Sequence, residues 1–172
     1  MNIEMEHYAL WSKGGVKMGI GPSTKETTLH HFRDPLLDVA TSDDDLDVVG
    51  VILVGTPQDN AEKMFVGQRV GAWLEAMRVD GTIISCDGWG NSHVDYANTI
   101  EEIGKRNIPV VGMTFVGTQA QFVVTNQYMD TIVDFNKSQE GIETEVVGEN
   151  TVTQIDAKKA IAFLKLKMRR RG

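Results

Sequence analysis

Three short apolar runs, each closed by a polar turn, limit what this 172-residue sequence can fold into. The runs cover residues 48–54, 82–85 and 109–116, and amphipathic stretches at 61–78 and 92–106 lie between them. Strands that alternate with helices predict right-handed crossovers, and such crossovers predict a parallel sheet. We therefore expect an α/β fold of three layers, with a mostly parallel sheet and helices on both faces, of the flavodoxin or Rossmann kind.

Length and composition indicate a single α/β domain over residues 1–172, with a less regular N-terminal arm at 1–45. Hydrophobic residues make up 41% of the sequence, which is ordinary for a folded globular protein. A chain of this size can bury one substantial hydrophobic core, but it is short for two separately folded domains.

Finer predictions concern individual elements. The continuous apolar run 48–54 predicts a fully buried strand, and residues 2–12 alternate weakly, like an edge or terminal strand. We expect a helix around 29–39 interrupted at Pro35, a strand or helix at 129–135, and an edge strand at 142–147. A capping box of Thr153 and Asp156 should open a final helix that runs to about residue 170. The helix at 61–78 should have one apolar face made of Val66, Val70, Trp73, Leu74 and Met77.

Charge and composition argue against several functions. The formal net charge of −7 disfavours broad nucleic-acid binding, which needs a basic surface. No apolar run approaches the roughly 20 residues of a membrane span, and the N-terminus does not resemble a signal peptide. The single cysteine, Cys86, excludes an internal disulfide framework and a cysteine zinc site. We therefore expect a cytoplasmic protein with no membrane or nucleic-acid partner.

No metal site is predicted either. The acidic run 42–45 lacks the alternating oxygen ligands, the mid-loop glycine and the closing glutamate of a calcium loop, so a solvated turn is expected. His30 and His31 are adjacent, and adjacent side chains do not face one ion.

The candidate site centres on residues 82–95, where a β-branched strand runs into a glycine-rich turn and then a helix start. Because the carboxyl ends of parallel strands share one edge of a sheet, the turns after all three strands should meet there. The expected catalytic residues are His93, Asp95 and Asp87. The expected substrate- or anion-binding residues are Thr56, Asp59, Asn60, Gly88, Gly90, Asn91, Ser92, Thr118 and Gln119.

Each candidate also has a structural interpretation. His93 suits acid–base work near neutral pH, or it is a helix-start residue bonded to Asp95 or to a carbonyl. Asp87 could orient an amine or cap the following helix, and capping alone explains Asn91 and Ser92. Cys86 fits a buried, inert thiol inside a strand. The sequence has no Walker A or GxGxxG turn, so nucleotide binding has no specific support.

Several longer strings resemble a known family. They are GIGPSTKETTLHHFRDPLLD, VGTPQDN, DGWGNSHVDYANTIEEIGKR, IPVVGMTF, YMDTIVDFNKSQEGIETEVVGEN and DAKKAIAFLKLKMR. Over about residues 17–170 the sequence resembles the D-proline reductase branch of the glycine/sarcosine/betaine reductase family. The similarity is to the C-terminal part of the proprotein subunit or to its short stand-alone relatives.

The resemblance implies amino-acid fermentation in an anaerobe, with reductive cleavage of a C–N bond that converts D-proline to 5-aminovalerate. In the proline enzyme of that family one subunit carries a pyruvoyl group made by self-cleavage before a cysteine, and a second subunit supplies a selenocysteine. This sequence has no selenocysteine, and its one cysteine, Cys86, is a disfavoured pyruvoyl precursor because it lies in a predicted strand. We expect no cofactor in this chain, and the pyruvoyl group and selenocysteine on partner subunits.

The resemblance therefore implies a subunit of a D-proline reductase-type complex, either downstream of the pyruvoyl site or an accessory paralogue. The start at Met1 favours the paralogue. In such a subunit His93 and Asp95 would handle protons, and Asn91 and Ser92 would hold a carboxylate. The expected partners are other reductase subunits, including the selenoprotein, an amino-acid substrate and a second copy of this chain. Two alternatives stay open: a non-catalytic assembly or maturation partner, and a flavodoxin-like small-molecule binding module.

Overall fold

The computed structural model describes residues 2–6, 35–86, 91–114, 116, 121–122, 124–136 and 152–170. Within these ranges strands and helices follow one another as the apolar runs predict. The strands are β1 (Asn2–Glu6), β2 (Val51–Gly55), β3 (Thr82–Cys86), β4 (Val110–Thr114) and β5 (Ile132–Asp134). The helices are α1 (Pro35–Thr41), α2 (Asn60–Ala76), α3 (Asn91–Lys105) and α4 (Gln154–Arg169).

The strands form one sheet in the order β2-β1-β3-β4-β5, and every neighbouring pair is parallel. This is the strand order of flavodoxin-like folds, in which the chain reverses its direction of travel between β1 and β3. Ligands of such sheets bind beyond the carboxyl ends of the strands, near that reversal. The predicted α/β fold with a parallel sheet is confirmed.

Two hydrophobic cores cover the two faces of the sheet. On one face α2 and α3 pack on the sheet through residues such as Leu74 and Ile100, which contact the core around Ile84. On the other face α1 and α4 pack around Ile83 and Val111. Ile83 and Ile84 are neighbours in β3, and they enter opposite cores because successive strand side chains point to opposite faces. Burying each such side chain contributes about 1.5–3 kcal/mol.

The helix ends follow local chemistry. Asp59 caps α2, because its Oδ1 accepts hydrogen bonds from the backbone N–H groups of Ala61 at 2.8 Å and Glu62 at 3.2 Å. The predicted capping box opens α4: Thr153 Oγ1 accepts from the Asp156 N–H, and the Asp156 carboxylate accepts from the Thr153 N–H. Each such cap typically contributes about 1 kcal/mol to helix stability.

Two strand predictions are wrong. The run 48–54 does not form a fully buried strand, because β2 begins at Val51 and lies at the edge of the sheet. Val51 and Leu53 are 41% and 63% exposed, and Val54 is buried. Conversely, the edge alternative for residues 2–12 is wrong, because β1 pairs with both β2 and β3. Residues 7–12 lie outside the described residues. An apolar run indicates that a strand can be buried. Whether the strand lies inside the sheet or at its edge depends on the order of all the strands.

The predicted apolar face of α2 is also partly wrong. Val70 and Leu74 are buried, but Trp73 and Met77 are exposed. The helix turns Gly67 and Gly71 towards α3, where the two helices approach closely. A Cβ added at Gly67 would collide with the Asn98 amide, and one at Gly71 would lie 3.0 Å from the Glu102 carbonyl oxygen. Close contact at glycine therefore rotates Trp73 away from the core.

The remaining element predictions have mixed outcomes. Helix α1 begins at Pro35, as suits proline at a first helical position, and residues 29–34 of the predicted helix lie outside the described residues. Residues 129–135 contain the strand β5, and 142–147 lie outside the described residues. The acidic turn is not simply solvated, because Asp43 and Asp45 both accept from Lys165 of α4. Among the described helices, none is long and apolar enough to span a membrane.

Candidate functional site

The carboxyl edge of the sheet carries the predicted site. Strands β2, β3 and β4 end there, and α2 and α3 begin there. Thr56, Ser92 and Thr114 are buried at this edge. The predicted site residues Asp87, Gly88, Gly90, Thr118 and Gln119 lie outside the described residues.

An enclosed ion pair joins the two helices at this edge. The Lys63 ammonium in the first turns of α2 donates to Asp95 Oδ2 in the first turns of α3, and the two side chains are 0% and 1% exposed. Asn98 strengthens the junction, since its amide donates to the Lys63 carbonyl oxygen at 3.3 Å. An unpaired charge at such a depth is strongly unfavourable, so each group holds the other in place.

The sequence prediction included Asp95 but missed Lys63. A signal was present, because Lys63 precedes Val70 and Leu74 by seven and eleven residues, which places all of them on one side of a helix. A lysine in line with core residues indicates a buried partner of opposite charge. The sequence alone gives no way to choose that partner.

Burial and the ion pair act against each other on Asp95. Burial is the larger effect and raises the pKa of the carboxyl group, while the Lys63 ammonium lowers it. Asp95 Oδ1 is buried and has no hydrogen-bond partner within the described part of the chain. The carboxyl group therefore has one oxygen committed to Lys63 and one oxygen able to accept a further hydrogen bond.

His93 lies on a different side of α3 from Asp95, because two residues along a helix correspond to about 200° of rotation. Its ring packs against Phe122, with 4.7 Å between the ring centroids. The side chain is buried, and neither ring nitrogen has a hydrogen-bond partner among the described residues. His93 and Asp95 therefore do not form the hydrogen bond that the sequence suggested.

The surroundings of His93 decide its charge. Burial lowers the pKa of the imidazole to about 4, so His93 is neutral at pH 7. A neutral imidazole has one nitrogen that donates and one that accepts. At pH 7 the side chain can accept a proton or a hydrogen bond, but it is not a charged acid at rest.

Tyr96 and Cys86 fill the space below this turn of α3. The Tyr96 ring stacks on Phe122, with 6.1 Å between centroids, and its hydroxyl end reaches β4 where Gly112 leaves room for it. Burial, with a smaller effect of Cys86, raises the pKa of Tyr96 well above its usual value. Cys86 is buried, and its backbone lies between Met5 of β1 and Thr114 of β4. The thiol is thus enclosed in the middle of the sheet.

The outer predicted residues have structural roles. Asp59 caps α2, and Asn60 is the exposed first residue of that helix. Asn91 begins α3, and its amide donates to Gln58 Oε1 at 3.4 Å across the gap between the two helix starts. Those predicted residues that the structure describes therefore lie at one edge, with Lys63 and Phe122 as additions.

No group of three or more His, Cys, Asp or Glu residues in the described ranges could hold a metal ion. A cavity of about 750 Å³ lies at the opposite, amino edge of the sheet. Its lining includes Leu36, Val49, Gly81, Pro109 and Met168, so it is separate from the candidate site.

Comparisons with known proteins place this sequence in a family. Residues 17–162 match the family model of the glycine/sarcosine/betaine reductase component B subunits. The chain is 47% identical over 146 residues to the D-proline reductase proprotein PrdA of Acetoanaerobium sticklandii. The aligned segment covers 85% of this chain and 23% of that protein. The chain is also 30% identical over 97 residues to the sarcosine reductase complex component B subunit alpha of Peptoclostridium acidaminophilum, covering 55% of this chain and 23% of that one.

The chain thus spans about a quarter of the length of these relatives. No solved structure matches it. The matched segment contains α2, β3, α3 and β4, so the candidate site lies wholly inside the family region. The resemblance read from the sequence strings is confirmed: the chain belongs to the family of glycine/sarcosine/betaine reductase component B subunits.

Proposed function

We propose that this chain is a subunit of a D-proline reductase-type complex, which cleaves a C–N bond of an amino acid reductively. The observation that carries the proposal is the difference between the two relatives. Identity to the D-proline reductase proprotein is 47% over 85% of the chain, against 30% over 55% for the sarcosine reductase subunit. The substrate class proposed is D-proline, with 5-aminovalerate as product.

Within that complex we propose that this chain does not carry the pyruvoyl group, which is the electrophile of the reaction. A pyruvoyl group forms when the backbone before a cysteine undergoes an acyl shift and cleavage, which needs a strained and accessible turn. Cys86 is the sequence's one cysteine, and its backbone is paired on both sides within the sheet. This enclosed position supports an accessory subunit, or a segment downstream of the pyruvoyl site, with the pyruvoyl group and the selenocysteine on partner subunits.

The residues at the carboxyl edge would then bind and orient. The start of α3 directs backbone N–H groups and the positive end of the helix dipole at this edge, which suits a substrate carboxylate near Asn91 and Ser92. The neutral imidazole of His93 would accept a hydrogen bond from the substrate side. Asp95, held by Lys63, would act as a positioning residue that fixes the first turns of α3.

The setting follows from the same proposal. The partners would be the other reductase subunits, among them the selenoprotein, together with a second copy of this chain. The location would be the cytoplasm of an amino-acid-fermenting anaerobe.

The intact mass of the denatured chain is the first test. We expect a single species at 19.0 kDa, which means no self-cleavage. Two fragments split before Cys86, with the C-terminal fragment reactive to a carbonyl reagent, would overturn the accessory role and make the chain a catalytic subunit.

Reconstitution tests the activity itself. The selenoprotein and pyruvoyl subunits are assayed for D-proline reduction with this chain, without it, and with the His93→Ala variant. We expect the wild-type chain to raise turnover and His93→Ala to lower it while the chain still folds and binds. An equal response to sarcosine or glycine would argue against the D-proline assignment.

A second candidate function has its own support. The enclosure of the one cysteine favours a non-catalytic assembly or maturation partner. That role predicts tight binding to the other subunits with identical turnover for wild type and His93→Ala, so the same assay separates the two functions.

A further inference from the structure

One flank of α2 carries large exposed side chains in a line. Phe65, Arg69 and Trp73 follow one another at intervals of four residues, so they form a single stripe along the helix. Phe65 and Trp73 are 56% and 48% exposed. The Arg69 guanidinium lies over both rings, 5.5 Å from the Phe65 centroid and 5.4 Å from the Trp73 centroid. These three residues are called the aromatic stripe below.

The aromatic stripe makes α2 apolar on two sides. One side packs Val70 and Leu74 into the core, whereas the side away from α3 carries the stripe together with the exposed residues Ala61, Ala72, Ala76 and Met77. A surface helix usually has a polar face opposite its core face, whereas here that face carries two aromatic rings beside its charged residues. The exposed flank of α2 therefore has the composition of a covered surface.

The charges on this flank identify the partner. Within the described ranges Arg69 makes no ion pair. The N–H groups of its planar guanidinium can donate two parallel hydrogen bonds to a carboxylate. Glu62 is exposed on the same helix, seven residues before Arg69, which is two turns or about 10 Å along the axis. The flank thus contains one anion and one cation with an aromatic ring between them.

Such a surface is complementary to itself. When two copies of α2 pack antiparallel about a two-fold axis, Glu62 of each copy lies opposite Arg69 of the other. Phe65 then lies near the axis. This is the condition for an isologous interface, in which residue i contacts residue j and j contacts i.

We propose that the aromatic stripe of α2, with Glu62, is the interface between two copies of this chain. The interface specifies the homodimer of the proposed function, but it does not depend on the substrate or on the other subunits. With Glu62 opposite Arg69, the two copies of α2 overlap over about residues 60–71, which is roughly 18 Å of helix. Phe65 lies at the centre of this contact and Trp73 at its periphery.

Sedimentation velocity of the purified chain over a range of concentrations tests the proposal. We expect the wild-type chain to dimerise and the Glu62→Arg and Arg69→Glu variants each to weaken dimerisation by at least tenfold, because each places like charges opposite one another. An equimolar mixture of the two variants should restore a dimer, since the cation introduced in one variant would then face the anion introduced in the other. The matched control is Lys158→Glu, a charge reversal at an exposed position of α4.

Circular dichroism first establishes that the variants fold. If a charge-reversed variant does not fold, the uncharged Phe65→Ser variant is used in its place. A single 19.0 kDa species at every concentration would overturn the proposal. So would a dimer that Arg69→Glu and Lys158→Glu affect equally, or a variant mixture that stays monomeric. Stripe variants that dimerise normally but lose binding to the reductase subunits would assign this surface to another subunit instead.

Discussion

Lys63 and Asp95 are 32 positions apart in the sequence, yet their side chains meet in an almost fully enclosed ion pair between the first turns of α2 and α3. The pair lies on the α2–α3 face of the sheet, near the carboxyl edge where the predicted site residues gather. It ties together the two helices whose starts form that edge. The geometry of the site therefore depends on a pair of charges that is hidden from solvent.

Removing one member of this pair should destabilise the protein strongly. Lys63→Met leaves the Asp95 carboxylate buried without its partner, which typically costs about 3–5 kcal/mol. The free energy of unfolding from urea titration measures the loss. The control is Lys158→Met, at an exposed position on α4, for which we expect a change within about 0.5 kcal/mol.

The double variant Lys63→Met with Asp95→Asn separates pairing from packing. Because it removes both charges, it should be more stable than Lys63→Met alone, by an amount that a double-mutant cycle measures. Additive losses from the two single changes would mean that the pair contributes nothing as a pair.

Protonation of His93 should make stability depend on pH. Burial lowers the pKa of the folded-state imidazole from 6.5 to about 4, so the unfolded chain binds more protons between these values. The free energy of unfolding is therefore highest, as far as His93 is concerned, above about pH 6.5. It falls as pH falls to about 4, by a total of about 3 kcal/mol.

His93→Gln provides the comparison for that pH dependence. Urea unfolding at several pH values between 4 and 7.5 should show a steeper decline for the wild type than for His93→Gln. Other groups titrate equally in both chains, so the difference belongs to His93. Parallel curves would mean that His93 is solvated and titrates normally.

Gly112 should not tolerate a side chain. A Cβ there would collide with the Tyr96 hydroxyl oxygen and would lie 3.1 Å from Ile132 Cγ1. Overpacking of this kind typically costs about 1–3 kcal/mol, so Gly112→Ala should lower the midpoint of thermal unfolding. Adding Tyr96→Phe removes the colliding oxygen and should recover part of the loss, whereas no recovery would place the clash elsewhere.

The Cys86 thiol should be unreactive in the folded protein. It is buried inside the sheet, and a reagent can reach it only when the fold opens. Ellman's reagent should therefore label Cys86 rapidly in concentrated urea and very slowly under native conditions. Rapid labelling of the native chain would show that β3 opens easily, and it would weaken the argument against a catalytic cysteine.

Local patterns predicted much of this architecture. The apolar runs located β3 and β4, helical periodicity located α2, α3 and α4, and side-chain chemistry located the cap at Thr153. These features depend on contacts between residues that are close in the sequence. Periodicity and residue type predict such contacts directly. The parallel sheet followed because helices separate the strands.

The sequence by itself determined the fold class, the family and the edge of the sheet where the polar residues meet. Only the tertiary structure decided that β1 lies inside the sheet, that β2 lies at its edge, and that Trp73 is exposed on the stripe. It also decided that Asp95 pairs with Lys63 and not with His93. The physical reason is that strand order and helix rotation are set by packing between distant segments, here by close approach at Gly67 and Gly71, which no local period encodes.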